Sequence, residues 1–171
     1  GQASPIPLKD ITPTISGGFM NTFNYKFIDL SFNLSYSFGG YSYDNASYIL
    51  QDDGYSVISN KSTEQRRRWQ KPGVITDVPR FVYGNKKGGN YNSSRAIHST
   101  DHIRLKSLIL GLNAPKAWLQ KLGIGNARIY FSGTNLLTWA AYDQYDPEMS
   151  GVVGFYTPPL KTYAFGLELK F

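Results

Sequence analysis

Apolar and polar residues alternate one for one along several stretches of this chain. That period of two marks β-strands with one greasy and one wet face. The cleanest stretch is Ile28 to Phe38, where Ile28, Leu30, Phe32, Leu34, Tyr36 and Phe38 alternate with Asp29, Ser31, Asn33, Ser35 and Ser37. Before it, Ile15 to Tyr25 puts Ile15, Gly17, Phe19, Phe23 and Tyr25 on one face, broken by Asn21, and a tight turn at Tyr25-Lys26-Phe27 joins the two. A third strand is predicted near 103–112. Its apolar phase changes between Leu105 and Leu108, and one extra residue near Lys106 and Ser107 restores it, so a β-bulge is expected there. A fourth strand, near 128–139, lines up Ile129, Phe131, Gly133, Leu137 and Trp139. A fifth, near 162–171, lines up Tyr163, Phe165, Leu167, Leu169 and Phe171. Between the third and fourth, Pro115 to Gly123 reads as a short helical turn with proline near its start and glycine at its end.

The connections also follow a pattern: short turn, long loop (39–101), short turn, long loop (140–160). Strands of 9–11 residues cross a bilayer when tilted by about 45°. Short turns at one end and long loops at the other are the asymmetry of outer-membrane barrels. A segment as long as 39–101 without regular structure is unusual in a compact domain and points to a functional loop.

Composition sharpens this picture. The chain has 171 residues, and no run is apolar enough for a membrane-spanning helix, which needs about 20 such residues. Barrels escape that criterion because lipid-facing and lumen-facing residues alternate. Thirteen Tyr and ten Phe suit pleated surfaces and membrane interfaces. Tyr25, Phe27, Trp118 and Phe171 fall near the short-turn ends of the strands, and Tyr36, Phe38 and Trp139 near the long-loop ends, the placement of two aromatic girdles. Without cysteine there is no disulfide framework or thiolate metal site. No secretory leader is visible at Gly1.

The candidate chemistry is sparse. Arg66-Arg67-Arg68-Trp69 is the densest basic cluster within a net charge of +6. It is read as a solvated loop segment with a capacity for anionic partners, and nucleic acid is not expected, since no nucleic-acid-binding fold accompanies the charge. His98, Asp101 and His102 offer metal-ligand atoms without a ligand frame, and Asp143, Asp146 and Glu148 offer calcium-type oxygens interrupted by Pro147. Turn chemistry is the expected role of both groups, and no metal or cofactor is predicted. Gly84-Asn-Lys-Lys-Gly-Gly89 lacks the Gly-Lys-Ser/Thr ending of a phosphate loop. No nucleophile–base arrangement can be assembled, so no catalytic residues are assigned and an enzyme is not expected. Loop aromatics such as Tyr41, Trp69, Tyr83 and Tyr142 suit packing or sugar stacking, but the sequence names no substrate-binding residue.

Several ordered motifs carry a family resemblance. They are Ile103-Arg-Leu-Lys-Ser-Leu-Ile-Leu-Gly-Leu-Asn-Ala-Pro115, Leu122-Gly-Ile-Gly-Asn-Ala-Arg-Ile-Tyr-Phe-Ser-Gly-Thr-Asn-Leu-Leu-Thr-Trp139, Tyr145-Asp-Pro-Glu148 and Tyr163-Ala-Phe-Gly-Leu-Glu-Leu-Lys-Phe171. Ile15 to Lys26 and Ser93-Ser-Arg95 add to them. Together they resemble the C-terminal end of SusC-like TonB-dependent transporters of Bacteroidetes. The resemblance implies an all-β fold: the last five antiparallel strands of a 22-stranded transmembrane barrel with long extracellular loops, the plug domain being absent. It implies uptake of oligosaccharides or peptides at the outer membrane. The expected partners are the upstream barrel and plug, outer-membrane lipid, a SusD-like surface lipoprotein, and TonB through the missing N-terminal part. Tyr163, Phe165, Leu167, Leu169 and Phe171 resemble the barrel insertion signal of a closing strand. Asp29, Asn33, Arg104, Tyr130 and Glu168 are expected to point into the lumen. Five strands cannot close a barrel, so the chain is expected to be part of a longer protein. The alternative is a self-contained small ligand-binding β-barrel or β-sandwich, with further strands hidden in 39–101.

Overall fold

The computed structural model describes residues 9–85, 93–120 and 123–171. In chain order these residues form β1 (Ile15–Tyr25), β2 (Ile28–Phe38), β3 (Tyr41–Asp44), helix α1 (Asn45–Leu50), β4 (Ile97–Ser99), β5 (His102–Asn113), helix α2 (Lys116–Leu119), β6 (Asn126–Ala140), β7 (Gly151–Val153) and β8 (Thr162–Lys170). The long strands make one antiparallel sheet in the order β1-β2-β5-β6-β8. The short ones make a second sheet, β4-β3-β7, in which β3 runs antiparallel to β4 and parallel to β7.

Register explains why the large sheet has two unlike faces. The pairings Phe23↔Leu30, Leu30↔Leu110, Leu110↔Phe131 and Phe131↔Phe165 draw one apolar row across all five strands. One step along, Asn24, Asp29, Gly111, Tyr130 and Gly166 form a row of the opposite face. Rings tie the apolar side together: Phe131 and Phe165 lie 5.2 Å apart, and Phe19 and Phe32 5.9 Å. The rows stay in phase because the register slips at Lys106, between Leu105 and Ser107, where the change of apolar phase called for a bulge. On β6 the same slip is absorbed at Asn135, whose φ is 52°. Asn tolerates this left-handed conformation better than most residues.

Glycine makes room for large neighbours at two points on the polar face. A Cβ at Gly166 would overlap the Tyr130 ring, and one at Gly111 would overlap the Asp29 carboxylate. Between β1 and β2, Tyr25 pairs with Ile28, leaving the two-residue turn Lys26-Phe27 with Lys26 at φ 53°. Pro115 caps the start of α2, and Gly123 at φ 67° follows its end, so a helical turn stands between β5 and β6 as the Pro-to-Gly spacing suggests.

Among the described residues, no apolar core lies beneath the large sheet. The buried hydrophobic residues among those described are Val78, Ala96, Leu119 and Val153, all outside its five strands. The apolar face stands open instead, with Phe165 81% and Phe19 51% exposed. Such a continuous apolar surface is foreign to a water-soluble monomer.

The stretch between β2 and β5 is not the irregular loop that composition suggests. It holds β3, α1, β4 and two 3-10 turns at Thr63–Arg67 and Ser94–Ala96. Asp44 caps α1 by accepting the Ser47 N–H at 2.9 Å, and Ser62 caps the first turn by accepting the Glu64 N–H at 3.2 Å.

Candidate functional site

Both long connections rise from the same end of the large sheet, where β2 and β6 finish at Phe38 and Ala140 and β5 begins at His102. They meet there because β3, from the first, pairs with β7, from the second, through Ser42↔Gly151, Tyr43↔Val152 and Asp44↔Val153. The result is a folded cap with polar groups at its centre.

Asp44 is that centre, 2% exposed. One carboxylate oxygen accepts the Ser47 N–H, and the other accepts the Tyr142 hydroxyl at 2.9 Å. Beside it the Tyr145 and Ser42 hydroxyls bond to one another. His98 lies flat on the Tyr142 ring, with centroids 3.8 Å apart and planes within 6°. Burial pushes the Tyr142 and Tyr145 phenols up from their ordinary range, so both stay neutral. Burial pushes the His98 imidazole down, against the opposing pull of Asp44 and Asp77, which suits a neutral ring stacked on tyrosine.

A second cluster fastens the later connection to β5. Arg104, 3% exposed, donates from one terminal nitrogen to Asp146 at 2.7 Å and from the other to Glu148 at 3.0 Å. Lys106 also pairs with Glu148, and His102 Nε2 lies 3.7 Å from the same carboxylate. The two terminal nitrogens of the Arg104 fork thus span both acidic side chains. Its Nε is buried and has no partner among the described residues. Above this cluster a cleft of about 820 Å³ opens, with Arg104, Trp139, Tyr145, Phe155 and Tyr156 in its walls.

A third polar group lies on the polar face near the short-turn end. Asp29 accepts from Arg128 at 2.7 and 3.2 Å and from the Asn113 amide at 2.7 Å, while Arg128 also reaches Glu168 at 3.3 Å. Asp29, Arg104, Tyr130 and Glu168 share this face by register. Asn33 joins them through its pairing with Ser107.

The other residues singled out in the sequence are distributed as follows. His98 stacks on Tyr142, Asp101 accepts the Gly39 N–H at 2.6 Å, and His102 Nδ1 bonds the Thr100 carbonyl at 2.8 Å, so each has separate structural work. No group of three or more His, Cys, Asp or Glu side chains positioned for a metal occurs among the described residues. Asp146 and Glu148 serve Arg104 and Lys106, while Asp143 accepts from Gln144. Arg67 pairs with Glu64 and approaches Asp77 at 3.8 Å, and Arg68 donates to the Gln65 carbonyl. The run at 86–89 lies outside the described residues. Tyr163, Phe165, Leu167 and Leu169 line the apolar side of the edge strand β8, and Phe171 follows it, 88% exposed.

Sequence reasoning missed the Asp44–Tyr142–His98 centre. The one local signal was Asp44 followed three residues later by Ser47, a capping pattern; Tyr142 lies 98 positions away in the chain and His98 more than fifty.

No protein-family model matches the chain. Two curated relatives come from Formosa agariphila. The TonB-dependent receptor P3 is 31% identical over 175 residues, covering 95% of this chain and 17% of the relative. The TonB-dependent receptor P26 is 33% identical over 141 residues, covering 81% of this chain and 14% of the relative. Among solved structures, the RagAB peptide transporter superposes with a TM-score of 0.78 at 28% identity over 95% of this chain and 18% of that one. The RagAB peptide importer in its closed-closed state gives 0.78 at 30%. The chain is homologous to part of these TonB-dependent receptors. It spans less than a fifth of the length of each of these relatives. The SusC-like character of its motifs agrees with the RagAB neighbours, and its five-stranded antiparallel sheet is a sector of an outer-membrane β-barrel. The relatives are named as TonB-dependent receptors and the neighbours as peptide transporters, and neither kind of protein is an enzyme.

Proposed function

We propose that this chain is the barrel-closing, C-terminal sector of an importer for oligosaccharides or peptides in a 22-stranded, multi-pass barrel. The observation that carries the reading is the apolar row running unbroken through Phe23, Leu30, Leu110, Phe131 and Phe165. Hydrocarbon outside a barrel is the environment that covers such a face, and the polar rows then line the lumen. Unpaired backbone groups along β1 and β8 would each cost several kcal/mol in lipid, so upstream strands of the same transporter complete the sheet on both sides. The same open edges count against a self-contained small barrel or sandwich.

In this arrangement the folded cap is extracellular and the turns at Lys26 and Lys116 are periplasmic. The cap shapes the mouth beneath a SusD-like lipoprotein lid, the plug sits within the barrel, and TonB supplies energy through the N-terminal part. The RagAB neighbours, described as peptide importers, favour peptides within the substrate class. Tyr163, Phe165, Leu167, Leu169 and Phe171 serve as the insertion signal.

Cysteine labelling tests the placement, since this stretch contains no native cysteine. In the whole transporter, Tyr156→Cys should react with an impermeant maleimide on intact cells. Lys116→Cys should react only after the outer membrane is opened, and Phe165→Cys only in detergent. Labelling of Phe165→Cys in the intact membrane would overturn the assignment. Excision of the cap segment 142–158 should abolish peptide-supported growth while the barrel still assembles; undiminished growth would remove the cap from the transport path.

A further inference from the structure

A groove of about 410 Å³ lies at the short-turn end of the apolar face. Its walls include Phe27, Leu112, Pro115, Trp118, Ile129 and Leu167, and its lining is almost wholly apolar. Three features separate it from the rest of that face. It is a concavity, framed on one side by the β1–β2 turn and on another by α2, which carries Trp118 69% exposed while anchoring itself through buried Leu119. Its walls come from consecutive sheet neighbours and from the turns beside them. Finally, two of the wall residues each have a lysine next to them in the chain. Exposed Lys26 precedes the wall residue Phe27, and exposed Lys116 follows the wall residue Pro115.

The geometry points to a phospholipid site. We propose that the groove holds an acyl chain of an anionic phospholipid in the leaflet at this rim, with Lys26 and Lys116 holding its phosphate. The occupant follows from continuity: Leu112, Ile129 and Leu167 belong to the apolar row beside Leu110, Phe131 and Phe165, the surface assigned to hydrocarbon above. Two lysines at headgroup level complement a phosphodiester, and the indole of Trp118 suits the boundary between chain and headgroup. The inference rests on the membrane reading of the sheet.

Fluorescence of the whole transporter in vesicles tests it. Phosphatidylglycerol with brominated acyl chains is titrated into a phosphatidylcholine host, and the Trp118 signal is taken as the difference from Trp118→Phe. Trp139, at the opposite rim, is followed in the same way with Trp139→Phe. Half-maximal quenching of Trp118 is expected at a several-fold lower mole fraction of brominated phosphatidylglycerol than of brominated phosphatidylcholine, with no such preference at Trp139. Lys26→Gln and Lys116→Gln should each weaken the preference about fivefold without altering quenching by the neutral lipid. Equal quenching by both lipids at Trp118, or a preference untouched by both lysine variants, overturns the site while leaving the barrel reading intact. Absence of quenching at both tryptophans overturns the site and the membrane reading together.

Discussion

Leu34→Arg tests the membrane placement through a depth that can be worked out from the strand. Leu34 lies six residues beyond Ile28 at the turn end of β2, and on the apolar face it pairs with Phe19 and Leu105. At about 3.4 Å per residue it stands ~20 Å along the strand, and a tilt near 45° converts this to ~14 Å of height. That is close to the middle of an apolar band ~25 Å tall, where an arginine facing lipid costs about 2–4 kcal/mol. Leu30, by the same reckoning, sits only ~5 Å above the turn end, where the cost falls to roughly 0–1 kcal/mol. Asn33→Arg, on the polar face, should change stability by no more than about 0.5 kcal/mol. The assay is urea unfolding of the whole transporter in phospholipid vesicles, followed by heat-modifiable migration. The expected ranking is Leu34→Arg well above Leu30→Arg, with Asn33→Arg near the wild type. Equal costs at Leu34 and Asn33 would refute the two-faced sheet, and equal costs at Leu34 and Leu30 would refute the depth.

Three further outcomes concern the cap. Arg104→Met leaves the Asp146 carboxylate, whose side chain is 6% exposed, without its cation; a loss of roughly 3–5 kcal/mol should appear as rapid proteolysis between β6 and β8, and unchanged protease resistance would show that the later connection is held elsewhere. Tyr142→Phe keeps the stack on His98 but strips a donor from buried Asp44, so cap stability should drop by about 1–3 kcal/mol in hydrogen exchange. The His98 imidazole, depressed by burial, gives a pH dependence of defined sign. Below its unfolded value near 6.5 the unfolded ring takes a proton that the folded cap resists, so cap stability is highest above that pH and declines as pH falls toward the lower folded value. His98→Gln should flatten the decline; a slope that survives the substitution assigns it to other groups.

The long strands were legible because each carries enough alternating residues to declare its face, and Lys106 was legible because the phase broke there and recovered. The folded cap was not. β3, β4 and β7 contain only three or four residues each, too few for a period of two to stand out. Their partners are also remote: Ser42 pairs with Gly151 across more than a hundred positions, and a linear pattern carries no trace of that meeting. The partners of the acidic residues after β6 were hidden for a related reason. Asp146 and Glu148 resemble cation ligands by type, but their cations are Arg104 and Lys106 on a strand some forty residues earlier.

The parallel pairing of β3 with β7 has a mechanical consequence. Because the first excursion donates the middle strand of a sheet whose outer strand comes from the second, neither can lift away alone without breaking a backbone ladder. The two excursions are therefore one mechanical unit.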